Sequence, residues 1–167
     1  MFDDMRDLYE QMLLDHNRNP RNFGEMETHT HKGHGFNPIC QDEFTVYLYV
    51  DDDTIKDVKF DGAGCAVSTA SASLMTQAVK GKKLHDALAL FERMRKVITG
   101  TDDGQPPVEL GKLKILEGVH AFPTRIKCAA LSWHVFKSAV DGEDGTISTE
   151  EGDNYCPTGA AAAAGGD

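Results

Sequence analysis

The cleanest alternation of apolar and polar positions runs from Phe44 to Val50. Phe44, Val46, Leu48 and Val50 fall on one side, and Thr45, Tyr47 and Tyr49 on the other. A period of two marks a half-buried β-strand. Asp51-Asp52-Asp53 supplies a polar turn, and Ile55 to Phe60 reads as the returning strand of an antiparallel hairpin. Residues 28–36 are expected to add a further strand, on a much poorer pattern. Helical spacing governs most of the rest. Met5, Leu8, Tyr9, Met12 and Leu13 predict an amphipathic helix over residues 3–16, with Asp3 or Asp4 as N-cap. Asn19-Pro20 stops it, because the residue before a proline disfavours the helical conformation.

Glycines 62 and 64 end the hairpin. A helix of small residues (Ser68, Thr69, Ala70, Ser71, Ala72, Ser73) is expected from about Val67 to Lys80, able to lie close against its neighbours. A second spans about Leu84 to Thr99, burying Leu84, Ala87, Leu88, Phe91, Met94, Val97 and Ile98. Residues 101–107 read as a polar loop, residues 109–117 as a short helix, and 124–141 as the last long helix. That helix carries an apolar stripe of Ile126, Ala129, Ala130, Trp133 and Val140. The expected fold class is α+β, with a small antiparallel sheet of about three strands packed against several α-helices. Beyond Asp141 the chain turns to Gly, Ala, Thr and acids, and no packed structure is expected there. The division is a folded domain over residues 1–140 and an acidic, Gly/Ala-rich tail over 141–167.

Charge sharpens that division. The chain has 167 residues and a formal net charge of −10. Residues 141–167 hold 7 of the 27 acids and none of the 17 bases, so the first 140 residues carry a net of only −3. There is no basic footprint of a nucleic-acid binder. No apolar run approaches the roughly 20 residues needed to cross a bilayer, so neither nucleic acid nor membrane is expected as a partner. Acidic residues at Asp3 and Asp4, where an export signal would be basic, point to the cytoplasm.

The candidate chemistry lies in the cysteines. Cys40 stands in Asn37-Pro38-Ile39-Cys40-Gln41-Asp42, Cys65 in Gly62-Ala63-Gly64-Cys65, and Cys128 in Arg125-Ile126-Lys127-Cys128. In a cytoplasmic chain such cysteines point to metal binding or catalysis rather than disulfides. Three thiolates and the Asp42 carboxylate can fill a tetrahedral site for a thiophilic metal such as zinc. The formal charge of −2 on such a zinc site would be offset by Arg125 and Lys127. Asp42 is the hardest and most replaceable of the four donors. Helix-start amides are expected to favour thiolate at Cys65 and Cys128, and the freedom of Gly62 and Gly64 to aim Cys65. The residues alone leave two readings open, a shared metal site and buried structural cysteines.

The remaining candidates read more plainly. Cys156, in the tail, is an incidental thiol. His29, His31 and His34 are surface histidines, although His-rich tracts can bind metal. His16 serves capping or partner contact, and Ser68, Ser71 and Ser73 serve close packing.

These segments resemble the SufU/IscU/NifU-like (U-type) iron–sulfur cluster assembly family across about residues 5–140. The resemblance rests on Leu8-Tyr9 through Asp15-His16-Asn17-Arg18-Asn19-Pro20-Arg21-Asn22, the Asn37–Asp42 motif, Phe60 to Thr76, and Phe122 to Trp133. It implies a SufE/NifU-like fold with a metal held by Cys40, Asp42, Cys65 and Cys128. Within the family the chain looks SufU-type. Lys127 stands where IscU proteins place a histidine, their Leu-Pro-Pro-Val-Lys chaperone motif is not reproduced, and residues 100–118 fit an extra SufU segment. The resemblance implies a zinc-dependent sulfurtransferase that takes persulfide sulfur from a SufS-type cysteine desulfurase on Cys40. The sulfur would pass towards a SufB-containing scaffold, with Arg125 holding Asp42 aside during transfer. The alternatives are a scaffold for a [2Fe–2S] cluster on the same four residues, and a structural zinc module. Gln41 replaces the family's usual glycine, so the backbone between Cys40 and Asp42 is expected to differ.

Overall fold

The structure, a computed structural model, describes residues 2–38, 41–142 and 146–148. The N-terminal helix α1 (Phe2–Arg18) stops just before Asn19-Pro20. Asp3 and Asp4 lie inside its first turn rather than ahead of it. Strands β1 (His31–Asn37), β2 (Asp42–Asp51) and β3 (Thr54–Ala63) follow. The β2–β3 turn puts Asp52 and Asp53 at φ 53° and 60°. Two left-handed central residues give the hairpin turn whose twist matches that of its strands.

Helices α2 (Ala66–Val79) and α3 (Leu84–Thr99) come next, then a 3₁₀ helix (Gly111–Ala121) and α4 (Pro123–Asp141). The antiparallel order β3-β2-β1 forms the sheet expected from the sequence. Thr146–Ser148 adds a short β4 parallel to β1, opposite His34–Phe36. This is a departure from the expectation of no packed structure after Asp141. Two β-branched residues here follow a glycine-rich stretch and cover an otherwise unpaired strand edge.

Helices α2 and α4 pack on the inner face of the sheet. Phe44, Val46 and Leu48 of β2 meet Ile55, Val58 and Phe60 of β3 there, all buried. Alternation in β3 breaks between Ile55 and Val58 because a bulge shifts the register after Tyr49. The extra residue lets both side chains face inward. Tyr47 on the outer face is also buried, sheltered by the His29 ring at 5.3 Å and by Lys32 Nζ 5.7 Å from its own ring centroid.

In α3 the buried face is Ala87, Leu90, Phe91, Met94, Val97 and Ile98, with Leu84 and Leu88 only half-buried. Helix α4 carries more than a stripe. Residues 128–136 are all buried, because the sheet covers one side and α2, α3 and the 3₁₀ helix the others. Its approach to β1 depends on glycine. A Cβ on Gly33 would lie 2.5 Å from the Val135 carbonyl oxygen and 3.0 Å from Ala139 N.

Small polar side chains fasten the helices. His16 Nδ1 and Ser73 Oγ are 2.7 Å apart, and Arg21 N–H donates to the same hydroxyl at 2.8 Å. His16 is thus a buried tie between α1 and α2 rather than a cap, and burial lowers its pKa. Trp133 Nε1–H donates to Ser71 Oγ (3.2 Å), which donates to the Ala129 carbonyl (2.6 Å), linking α2 to α4. The close-packing reading of the serines therefore holds, with hydrogen bonds added. Among the described residues no helix is long and apolar enough to cross a membrane.

Gly33→Ala tests the α4–β1 approach. Replacing glycine by alanine within a strand ordinarily stabilises by about 0.5–1 kcal/mol. Here overpacking against Val135 is expected to destabilise by about 1–3 kcal/mol. The urea midpoint should fall, and an unchanged or higher midpoint would contradict the close contact.

Candidate metal centre

Asp42 is the first residue of β2, Cys65 caps α2, and Cys128 lies in the second turn of α4. A carboxylate oxygen and the two sulfurs all lie within 4.8 Å of one another. Tetrahedral zinc, with bonds of about 2.0–2.3 Å, places its donors roughly 3.3–3.8 Å apart, a spacing that falls inside the 4.8 Å within which the three lie. Asp42 and Cys128 are 0% exposed and Cys65 is half-buried. Three of the four donors expected from the sequence therefore converge. The fourth, Cys40, lies outside the described residues, as does Cys156.

The three are held before any ion is considered. The Cys65 backbone N–H donates to Asp42 Oδ1 at 2.8 Å. Asn37, fully buried at the end of β1, points Nδ2 at Asp42 Oδ2 (3.4 Å) and at Cys128 Sγ (3.6 Å). Ser68 N–H donates to Cys65 Sγ at 3.5 Å, as a helix N3 amide does to a capping side chain. A hydrogen bond with Cys128 lowers the Cys65 pKa, burial opposes it, and the Ser68 amide and hydroxyl reinforce it. The result falls from 9.0 to about 5. The expected helix-start effect thus applies to Cys65. Cys128 sits deeper in its helix, where its one thiol proton has two acceptors in reach, the Cys65 sulfur and, at 3.5 Å, the Thr124 carbonyl.

The two glycines act differently from one another. Gly62 has φ 128°, the conformational freedom expected of it. Gly64 is needed for close approach, since a Cβ there would lie 2.4 Å from Ser68 Oγ and 2.8 Å from Asp42 Oδ1. Gln41 takes φ 59°. This is a left-handed conformation that suits glycine, and Gln41 bears the strain.

Arg125 is exposed in the first turn of α4, and Lys127 is half-buried. The histidine patch divides among surface contacts. His29 pairs with the Met26 carbonyl, His31 with Thr30, and His34 with Glu43. Among the described residues, Asp42, Cys65 and Cys128 are the one cluster of metal-donor type. Two participants go beyond the sequence reading: Asn37, which has no role there, and Ser68, which has only close packing. Ser68 carried a readable signal, a residue at N3 behind a capping thiol. Asn37 carried a weaker one, a polar residue where a strand ends beside Cys40.

A small α+β protein with a sulfur-rich, carboxylate-completed donor cluster is the class that this fold and site define. The chain belongs to the NifU-like N-terminal domain family, whose pattern matches residues 8–129. It is 40% identical over 138 residues to the zinc-dependent sulfurtransferase SufU of Bacillus subtilis, covering 83% of this chain and 92% of that protein. It is 38% identical over 133 residues to the iron–sulfur cluster assembly scaffold protein IscU of Streptococcus pyogenes, covering 80% and 82%. A candidate SUF-system scaffold from Fervidobacterium islandicum superposes with TM-score 0.70 at 30% identity, covering 81% of this chain and 98% of that one. A NifU-like domain from Brucella abortus shares the fold, with TM-score 0.73 at 20% identity over 83% and 95% of the two chains.

Two measurements test this geometry. In metal-free protein, Cys65 should alkylate near its full rate at pH 7 and slow only as pH falls through about 5; half-maximal rate near 8.5, as for an ordinary thiol, would contradict the hydrogen-bonded thiolate. The folded value is the depressed one. Cys65 therefore stabilises the metal-free fold fully above pH 9.0, and that contribution is lost as pH falls through about 5. Separately, Gln41→Gly should raise stability by about 1 kcal/mol by relieving the left-handed strain, read as a higher thermal midpoint.

Proposed function

We infer that the protein is a zinc-dependent sulfur carrier of iron–sulfur cluster assembly, working in the cytoplasm beside a SufS-type cysteine desulfurase. The observation that carries this reading is the convergence of Asp42, Cys65 and Cys128 on one buried point. Cys40 supplies the fourth donor. It lies two residues before Asp42, within about 7 Å of it by covalent geometry. The donor set of three sulfurs and one oxygen fits zinc. Zinc bound there would keep the thiols deprotonated and, having a single redox state, would not oxidise them.

The residues divide the work. Cys65 and Cys128 are anchored on helices and hold their places. Cys40, which falls between β1 and β2 in the sequence, is the thiol that moves. Its thiolate attacks the outer sulfur of the desulfurase persulfide. A sulfur–sulfur bond forms at Cys40 as the donor's sulfur–sulfur bond breaks, and the desulfurase cysteine leaves as thiolate. No electrons are gained or lost overall, as in thiol–disulfide exchange. Arg125, three residues before Cys128, is the cation proposed to take Asp42 while Cys40 is away. The sulfur then passes to a SufB-containing scaffold.

The Streptococcus pyogenes relative favours a second reading, in which a [2Fe–2S] cluster is built on the same four residues. Lys127 weighs against it, since the resemblance places a histidine there in IscU-type scaffolds. Purified protein should be colourless with about one zinc per chain. Brown protein with stable iron would favour the scaffold. Added to a SufS-type desulfurase with cysteine and reductant, the protein should raise alanine formation, and Cys40→Ala should abolish that rise. Undiminished stimulation by Cys40→Ala would rule out sulfur transfer through this thiol.

A further inference from the structure

Asn37 has no part in the reading above, yet it stands between two of the donors. Asparagine is a poor strand residue, and a fully buried amide is costly unless its polar atoms are engaged. Here Nδ2 lies 3.4 Å from Asp42 Oδ2 and 3.6 Å from Cys128 Sγ. Its two N–H bonds thus face one oxygen and one sulfur donor at once. The other Asp42 oxygen is already taken by the Cys65 N–H at 2.8 Å. Asn37 and Asp42 are also direct partners in the β1–β2 ladder. They end β1 and begin β2, and Cys40 falls between them in the sequence.

We propose that Asn37 is the positioning residue of this centre: its side-chain amide holds Asp42 against Cys128 in the resting site, so that the donors are in place to take up and keep the zinc. The proposal rests on the four-donor zinc reading above. A hydrogen bond to each carboxylate oxygen fixes the plane of Asp42 and leaves a lone pair on each oxygen for a metal. A hydrogen bond to the Cys128 sulfur draws charge from it and makes that thiolate a poorer nucleophile. Asn37 does this without a charge of its own, whereas a lysine at the same place would form an ion pair with Asp42. The amide therefore quietens Cys128 with a buried donor. Partners of metal ligands commonly matter in this way, at about 10–100-fold in metal affinity.

The test compares zinc-loaded wild-type protein with Asn37→Ala and Asn37→Ser. The readouts are zinc loss to a competing chelator, the cobalt(II) spectrum, and thermal midpoints with and without zinc. Asn37→Ala should bind zinc about 10–100-fold more weakly, and Asn37→Ser, which keeps one donor, should fall between. The gap between zinc-loaded and zinc-free midpoints should shrink. The cobalt ligand-field bands should shift while the thiolate charge-transfer bands remain. Unchanged zinc retention with a lower zinc-free midpoint would make Asn37 merely structural and overturn the proposal. A reading on wild-type protein covers variants that do not fold. In the cobalt(II) form, the Asn37 side-chain amide protons should be strongly shifted and slow to exchange, and unshifted, fast-exchanging protons would overturn the role. Wild-type protein that takes up no zinc would defeat the four-donor reading itself. Zinc-binding wild type with unaltered Asn37 variants would defeat the Asn37 role alone.

Discussion

The hydrogen bond from the Cys65 backbone N–H to Asp42 Oδ1, at 2.8 Å, joins the start of α2 to the start of β2 across 23 residues of chain. It needs Gly64, since a side chain there would collide with the same carboxylate oxygen. It also places a buried acid against a helix N-terminus, where free amides favour negative charge. The Cys65 sulfur uses the next such amide, that of Ser68. Carboxylate and thiolate are thus gathered by one helix end, and the strand and helix carrying them cannot separate without exposing a buried acid to an unpaired state.

Cys128 reaches the same point from the opposite side of the core. It depends on α4, which is buried nearly all round and lies against β1 over Gly33. The Trp133–Ser71–Ala129 hydrogen-bond chain then fixes α4 to α2, the two helices that carry Cys128 and Cys65. Two thiols are therefore set by packed helices.

Most of the helices and the hairpin were legible because their burial follows a simple period. The α3 limits, Leu84–Thr99, match the sequence reading. β1 read poorly because its inner face is Gly33, Gly35 and Asn37, residues chosen for close helix approach and for the site rather than for apolarity. α4 read as a single stripe because Ser132, His134 and Ser138, which look polar in one dimension, are buried along with Leu131, Val135, Phe136 and Ala139. β4 was invisible, since three residues carry no period. At the site, the polar and glycine-rich settings of the cysteines and the motif resemblance pointed to Asp42, Cys65 and Cys128, which the fold brings together. They could not show Asn37 bridging two of them, because that depends on a strand register.

X-ray absorption at the zinc edge of the purified protein tests the central claim most directly. Cys40, Asp42, Cys65 and Cys128 predict a first shell of three sulfurs near 2.3 Å and one oxygen near 2.0 Å, with the oxygen lost in Asp42→Ala. A first shell of nitrogen and oxygen alone, or a sulfur count unchanged by Cys65→Ala and Cys128→Ala, would place the metal elsewhere and contradict the account.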